Sequence, residues 1–94
     1  MSYKLVFKAE AKNEWDKLDA TVRQQFKKKL AERMESPRVE SSRLSGMRDC
    51  YKIKLRTVCY RLVYQVRDNE LVVSVVAVGK RERNAVYKTA VKRV

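Results

Sequence analysis

Lys52, Lys54 and Arg61 stand at alternate positions in two short stretches, Tyr51-Lys52-Ile53-Lys54-Leu55 and Tyr60-Arg61-Leu62. Alternation of this kind gives an extended segment with one apolar and one cationic face. Pairing the stretches as a hairpin centred between Thr57 and Val58 sets Leu55 opposite Tyr60, Ile53 opposite Leu62 and Tyr51 opposite Tyr64. All three pairs are apolar on one face, which is how burial specifies register. The same register sets Lys54 opposite Arg61 on the other face, with Lys52 a step along. Like charges directly across a sheet are destabilising, so the pair gains its sense from a phosphate between them. Centring the next hairpin between Asp68 and Asn69 sets Arg61 beside Val76 and Cys59 beside Val78. The strand then ends near Gly79, and Lys80, Arg81 and Arg83 follow at the same end of the sheet. Lys52, Lys54, Arg61 and Arg81 are thus expected to converge on one concave face. A plain solvated sheet face in a basic protein accounts for the same residues, and Tyr87 suits half-buried packing as well as base stacking.

The chain has no histidine, so the commonest acid/base side chain near neutral pH is excluded. Chemistry falls to Lys, Arg, Tyr or carboxylates. Two cysteines without histidine make a poor metal site; Cys50 and Cys59 are expected to be reduced, small and half-buried. Neither a metal nor a cofactor is expected.

The elements that must position these residues follow from periodicity. Tyr3, Leu5 and Phe7 alternate as a short strand. Ala11, Trp15 and Leu18 form a helical stripe broken at Asp19-Ala20. Thr21 with Gln24 reads as a capping box, and Val22, Phe26, Leu30 and Met34 make one buried face of a second helix. Pro37 disfavours helix at Ser36, so that helix should end near Glu35. Its outer face carries Arg23, Lys27, Lys28, Lys29 and Arg33, a solvated face or one for a polyanion. Residues 36–49 read as a polar loop with Arg38, Arg43 and Arg48. Thr57-Val58 is a poor tight turn, which favours a four-residue loop with the same centre. Leu71 to Val78 suits a central strand buried on both faces. Val86, Ala90 and Val94 give a C-terminal helix. The expected fold is one α+β domain over 1–94 in the order β-α-α-β-β-β-α, with a small, mostly antiparallel sheet.

Length and charge bound the partners. Ninety-four residues fit one domain. Lys and Arg number 23 against 11 Asp and Glu, a net charge of +12. Such an excess costs self-repulsion; it suits a polyanionic partner such as nucleic acid, an anionic membrane or an acidic protein, nucleic acid or the ribosome above all, and a plain solvated surface accounts for it as well. The N-terminal stretch lacks a signal-peptide core, and no run approaches a membrane span, so a cytoplasmic protein without membrane partners is expected.

Residues 46–64, GMRDCYKIKLRTVCYRLVY, and 79–87, GKRERNAVY, resemble the RelE messenger-RNA interferase toxins. The resemblance runs through the whole chain, including WDKL, TVRQQFKKKL and ESPR. It implies a toxin of a type II toxin–antitoxin system, restrained by a RelB-type antitoxin, that enters the ribosomal A site and cleaves messenger RNA there. The reaction implied is attack of a ribose 2′-hydroxyl on the adjacent phosphate, leaving a cyclic phosphate and a 5′-hydroxyl. Lys52, Lys54, Arg61, Arg81 and Tyr87 would be the active-site residues. Lys27, Lys28, Lys29, Arg33, Arg43, Arg48, Lys80 and Arg83 would meet RNA, including small-subunit ribosomal RNA. Operator DNA would be bound only through the antitoxin complex. One departure from the family's LRGM pattern is Leu44-Ser45-Gly46-Met47, where Ser45 replaces an arginine, so that this contact is lost or taken over by Arg43 or Arg48. Two other readings stay open: a ParE-type toxin directed at gyrase, and a nonenzymatic nucleic-acid-binding module.

Overall fold

The computed structural model describes residues 3–80 and 85–94; Arg81 and Arg83 lie outside them. The element order is β1 (Lys4–Phe7), α1 (Ala9–Asp16), α2 (Ala20–Glu35), β2 (Cys50–Leu55), β3 (Tyr60–Arg67), β4 (Val72–Lys80) and α3 (Ala85–Arg93). Two short 3₁₀ turns, Glu40–Ser42 and Asp68–Glu70, interrupt the loops. The sheet order is β1-β4-β3-β2. β4 pairs antiparallel with β3, and β3 with β2, while β1 joins the β4 edge in parallel. The expected α+β order and mostly antiparallel sheet are therefore present.

Both faces of the central strands are covered, as their β-branched sequence requires. On one face Tyr51, Ile53, Leu55, Leu62, Tyr64, Val66, Val73, Val75 and Val78 pack against Ala11, Trp15, Leu18, Val22, Phe26 and Leu30. These last come from α1, α2 and the turn between them, at the spacing that gives each helix one apolar stripe. On the other face Cys50, Val63, Val76 and Ala77 meet Val86 and Ala90 of α3 together with Met47. The second cluster is smaller, and α3 lies chiefly over β4 and β3.

Two local expectations change. Thr21 does not cap α2. The helix begins at Ala20, the Asp19 carbonyl accepts from Arg23 N–H at 3.0 Å, and no side chain caps the end. Leu18 is pinned in the core, so the chain turns at Asp19 and Thr21 falls inside the first turn. The β3–β4 hairpin also has a different register. Its loop runs through the Asp68–Glu70 turn to Leu71 in the left-handed region at φ 53°. Arg67 then pairs with Val72, and a bulge at Val63/Tyr64 shifts the ladder again.

Candidate active site

The β2–β3 hairpin has the register read from the sequence: Tyr51 faces Tyr64, Ile53 faces Leu62, Lys54 faces Arg61 and Leu55 faces Tyr60. Its connection is the four residues 56–59. Lys52 and Lys54 point to the same side as Arg61, the side on which α3 packs. Lys54 is exposed and Lys52 half-buried. Arg61 is only 9% exposed, so this cation is inside the site wall rather than on its surface.

The shifted register places Gly79 opposite Arg61, and Lys80 opposite Tyr60. Val76, the expected neighbour of Arg61, is three residues further back. The chain therefore leaves β4 beside Arg61 itself, and Arg81 comes two residues later in sequence. Gly79 has a steric role here. A β-carbon on it would stand 3.1 Å from Val86 Cγ2, so its absence lets α3 lie close on β4.

That close approach brings Tyr87 over Arg61. The guanidinium carbon is 5.1 Å from the ring centroid, a cation–π distance. The Tyr87 hydroxyl is buried and has no hydrogen-bond partner among the described residues. A buried hydroxyl without a partner costs free energy. Beside these residues lies a cavity of about 190 Å³ lined by Lys54, Leu55, Arg56, Cys59, Tyr60 and Arg61. Lys54, Arg61 and Tyr87 thus meet on one side of the sheet, with Lys52 a step along β2.

The other basic residues are dispersed. Lys27, Lys28 and Lys29 are exposed on α2, on the opposite side of the sheet from Lys54. Arg33 departs from them. It is half-buried, and its guanidinium donates to the Lys52 carbonyl at 3.2 Å, the Tyr64 hydroxyl at 2.9 Å and Ser42 Oγ at 3.3 Å. Helical spacing put it with the lysines; the acceptors it meets come from distant segments. Arg43 and Arg48 are exposed around the loop at Ser45, near Glu40 and Asp49 respectively. Ser45 is itself exposed, and Gly46 at φ 77° makes the turn beside it.

Two features were not read from the sequence. Arg38 pairs with Asp49 and Asp68 and donates to the Tyr51 hydroxyl. Tyr3 donates to Asp68 at 2.6 Å. The Tyr3 and Arg38 hydrogen bonds hold the Asp68 carboxyl below the usual carboxylate value. Arg93 and Glu14 make the second feature, a bidentate pair with hydrogen bonds of 2.9 and 3.2 Å. The two cysteines also differ from expectation. Cys50 is fully buried and burial pushes its thiol up to about 11, whereas Cys59 is exposed. Among the described residues no cluster of three or more His, Cys, Asp or Glu is placed to hold a metal. No helix among them is long and apolar enough to cross a membrane.

Comparison with known proteins adds the following. The family model for the ParE toxin of the type II toxin–antitoxin system parDE matches residues 5–85. The mRNA interferase toxin RelE of Escherichia coli K12 is 61% identical over 94 residues, covering 100% of this chain and 99% of that protein. A double arginine-to-alanine mutant of E. coli RelE in the free state superposes with a TM-score of 0.93 at 58% identity, covering 100% of this chain and 99% of that one. The toxin in the intact E. coli RelBE toxin–antitoxin complex superposes with a TM-score of 0.84 at 60% identity, covering 87% of this chain and 100% of that one.

Proposed function

Because this chain belongs to the RelE messenger-RNA interferase toxins of the wider ParE toxin family, we propose that it cleaves messenger RNA on the ribosome. The observation that carries the reading is the meeting of Lys54, Arg61 and Tyr87 beside the point where β4 leaves the sheet.

The chemistry is transesterification. The ribose 2′-oxygen attacks the adjacent phosphorus as its proton passes to Lys54, which acts in its neutral amine form and becomes the ammonium. The bond from phosphorus to the 5′-oxygen breaks, and that oxygen takes a proton from Arg81. The products are a 2′,3′-cyclic phosphate and a 5′-hydroxyl. Guanidinium is a very weak acid, but an alkoxide leaving group is strongly basic, so partial proton transfer in the transition state suffices. Lys52 and Arg61 counter the charge that grows on the phosphate oxygens. Tyr87 stacks on a base or orients the nucleotide, and its unpartnered hydroxyl is one atom to receive a polar group. The charge stabilisation comes from side chains, so activity persists in a chelator and the reaction takes place without a metal.

The relatives support a reading of the working assembly. E. coli RelE is found in a complex with RelB, and this chain takes a RelB-type antitoxin as its inhibitor. A net charge of +12 suits an acidic antitoxin segment. The antitoxin complex binds operator DNA and represses its own operon. The protein acts in the cytoplasm as one domain. Lys27, Lys28 and Lys29 dock on ribosomal RNA phosphates, and Arg43, Arg48, Lys80 and Arg83 also meet RNA.

The test compares cleavage of one message, naked and bound in a ribosome with the codon in the A site, at fixed salt under single turnover. Cleavage confined to the ribosome-bound message is expected. Equal rates point to a general ribonuclease. Intact message in both, with DNA breaks in arrested cells, points to a gyrase-directed toxin.

A further inference from the structure

β1 covers only the first half of the β4 edge. It pairs with Val72 to Val75 and ends at Phe7, after which Lys8 N–H donates to the Val75 carbonyl at 3.0 Å. Beyond that point the outward backbone groups of a central strand face no strand. They must find other partners, since a buried unpaired amide or carbonyl costs free energy. Two helices supply them from side chains. Glu14 of α1 accepts from Val78 N–H at 3.1 Å, and Arg93 of α3 donates to the Val76 carbonyl at 2.9 Å. The two side chains also grip each other. Arg93 Nη1 reaches Glu14 Oε1 at 2.9 Å, Nη2 reaches Oε2 at 3.2 Å, and Nε lies 3.7 Å from Glu10.

This arrangement ties α1, β4 and α3 at a single point. The Arg93 side chain is 15% exposed and that of Glu14 32% exposed, so the pair is screened from solvent more than the surface pair Lys12–Asp16. The fork-on-carboxylate geometry is the strong form of the interaction. The hydrogen bond to Glu14 raises the Arg93 guanidinium further above its ordinary value. α3 needs such a tie. It has nine residues and buries only Val86 and Ala90, while Val91 is 54% exposed and Val94 47%. Short helices hold their place by tertiary packing rather than by propensity.

We infer that Glu14 and Arg93 are positioning residues for RNA cleavage: by latching the C-terminal end of α3 to the β4 edge, they hold Tyr87 over Arg61. The inference rests on the functional reading above, in which Tyr87 and Arg61 belong to the site. Neither Glu14 nor Arg93 touches the reacting atoms. Their effect passes along α3, in which Arg93 lies six residues beyond Tyr87, and a loosened α3 lets the ring leave the guanidinium. Small misplacement of a catalytic group costs up to about 100-fold in rate.

The test uses the full-length protein with Glu14→Gln, Arg93→Met, Arg93→Lys and Tyr87→Ala, and each of the first two combined with Tyr87→Ala. Amide hydrogen exchange is measured alongside single-turnover cleavage of ribosome-bound message. Glu14→Gln keeps an acceptor for Val78 N–H but loses the charge pair, so the sheet edge stays satisfied. Expected is faster exchange across α3 with α2 and β3 unchanged. The maximal cleavage rate should fall about tenfold or more, at an unchanged half-saturating ribosome concentration. Arg93→Lys should fall between wild type and Arg93→Met. In the Tyr87→Ala background the latch substitutions should cost less than about twofold, because the group they position is gone. Unaltered α3 exchange in both single variants overturns the latch. Looser α3 with full cleavage, or a loss that adds undiminished to that of Tyr87→Ala, overturns the positioning role. Absence of cleavage by the wild type overturns the functional reading instead, and the exchange measurement then decides the latch alone.

Discussion

At the scale of single residues, Lys54 and Arg61 face each other yet differ in situation. Lys54 is exposed, whereas Arg61 is 9% exposed and lies under the Tyr87 ring. Lys54→Ala is expected to leave the fold within about 0.5 kcal/mol of wild type and to slow cleavage on the order of 100-fold. Urea titration and single-turnover cleavage check the two halves separately; cleavage at the wild-type rate removes Lys54 from the mechanism. The cysteines offer a second residue-scale check. Cys50 is buried with its thiol pushed up to about 11, and Cys59 lines the cavity beside Lys54 and Arg61. Thiolate is the reactive form. A thiol reagent should therefore label Cys59 in the native protein and Cys50 only after unfolding, as read by peptide mass. A bulky label on Cys59 should block cleavage, and ribosome-bound message in excess should slow the labelling.

At the scale of elements, α2 separates two kinds of basic residue that the sequence presents alike. Lys27, Lys28 and Lys29 project from the helix, and Arg33 turns into the gap between α2, β2 and the 36–49 loop. Arg33→Ala should destabilise by about 1–3 kcal/mol, because three acceptors lose a charged donor. Replacing the three lysines with Ala should leave stability nearly unchanged and flatten the salt dependence of ribosome binding. Each phosphate that is no longer neutralised should reduce the log–log slope by about 0.7–0.9. The two variants thus exchange signatures, one in denaturation and one in binding. The β2–β3 hairpin was legible because three apolar pairs and Lys54–Arg61 agree on one register. The next hairpin was not, because φ 53° at Leu71 and the bulge at Val63/Tyr64 leave no mark in the hydrophobic pattern. The capping box failed for a related reason: Thr21 and Gln24 have the right spacing, but burial of Leu18 sets where α2 begins. Glu14–Arg93 was illegible altogether, since its partners are 79 residues apart and each reads as a surface charge.

At the scale of the whole molecule, charge and ties have opposite effects. A net charge of +12 opposes, by self-repulsion, the compactness of a fold of Cα radius of gyration 12.1 Å. Its acidic residues are few, and several are placed where distant segments meet. Asp68 joins Tyr3 near the N-terminus to Arg38 in the 36–49 loop, and Asp49 joins Arg38 from within that loop. The Asp68 carboxyl is held below its ordinary value chiefly by the Tyr3 hydroxyl. A depressed carboxylate contributes stability that is fully present above its unfolded value, near pH 3.9, and is lost as pH falls through the folded value. Asp68→Asn should therefore lower stability at neutral pH and lose less of it on acidification below about pH 4. Thermal midpoints at pH 7 and pH 3 check this; parallel curves for the two proteins would remove Asp68 from the tie.

The bulge in β3–β4 reaches beyond local geometry. Up to Tyr64 the ladder pairs Val75 across from it, and past the bulge Leu62 pairs with Val78 and Arg61 with Gly79. Were the same residues to pair in a regular ladder, Arg61 would face Val78, and Gly79 would turn toward α1 and α2. A valine would then occupy the space in which Val86 now approaches the backbone. Strand residues alternate sides, so one residue more or less exchanges the two faces of everything that follows. In genetic terms, gain of a single codon between Val75 and Gly79 leaves the reading frame intact and inverts the wall of the site, whereas loss of one closes the bulge and keeps Gly79 opposite Arg61. Substitutions in this stretch can be graded by size, but an added residue there has no mild version.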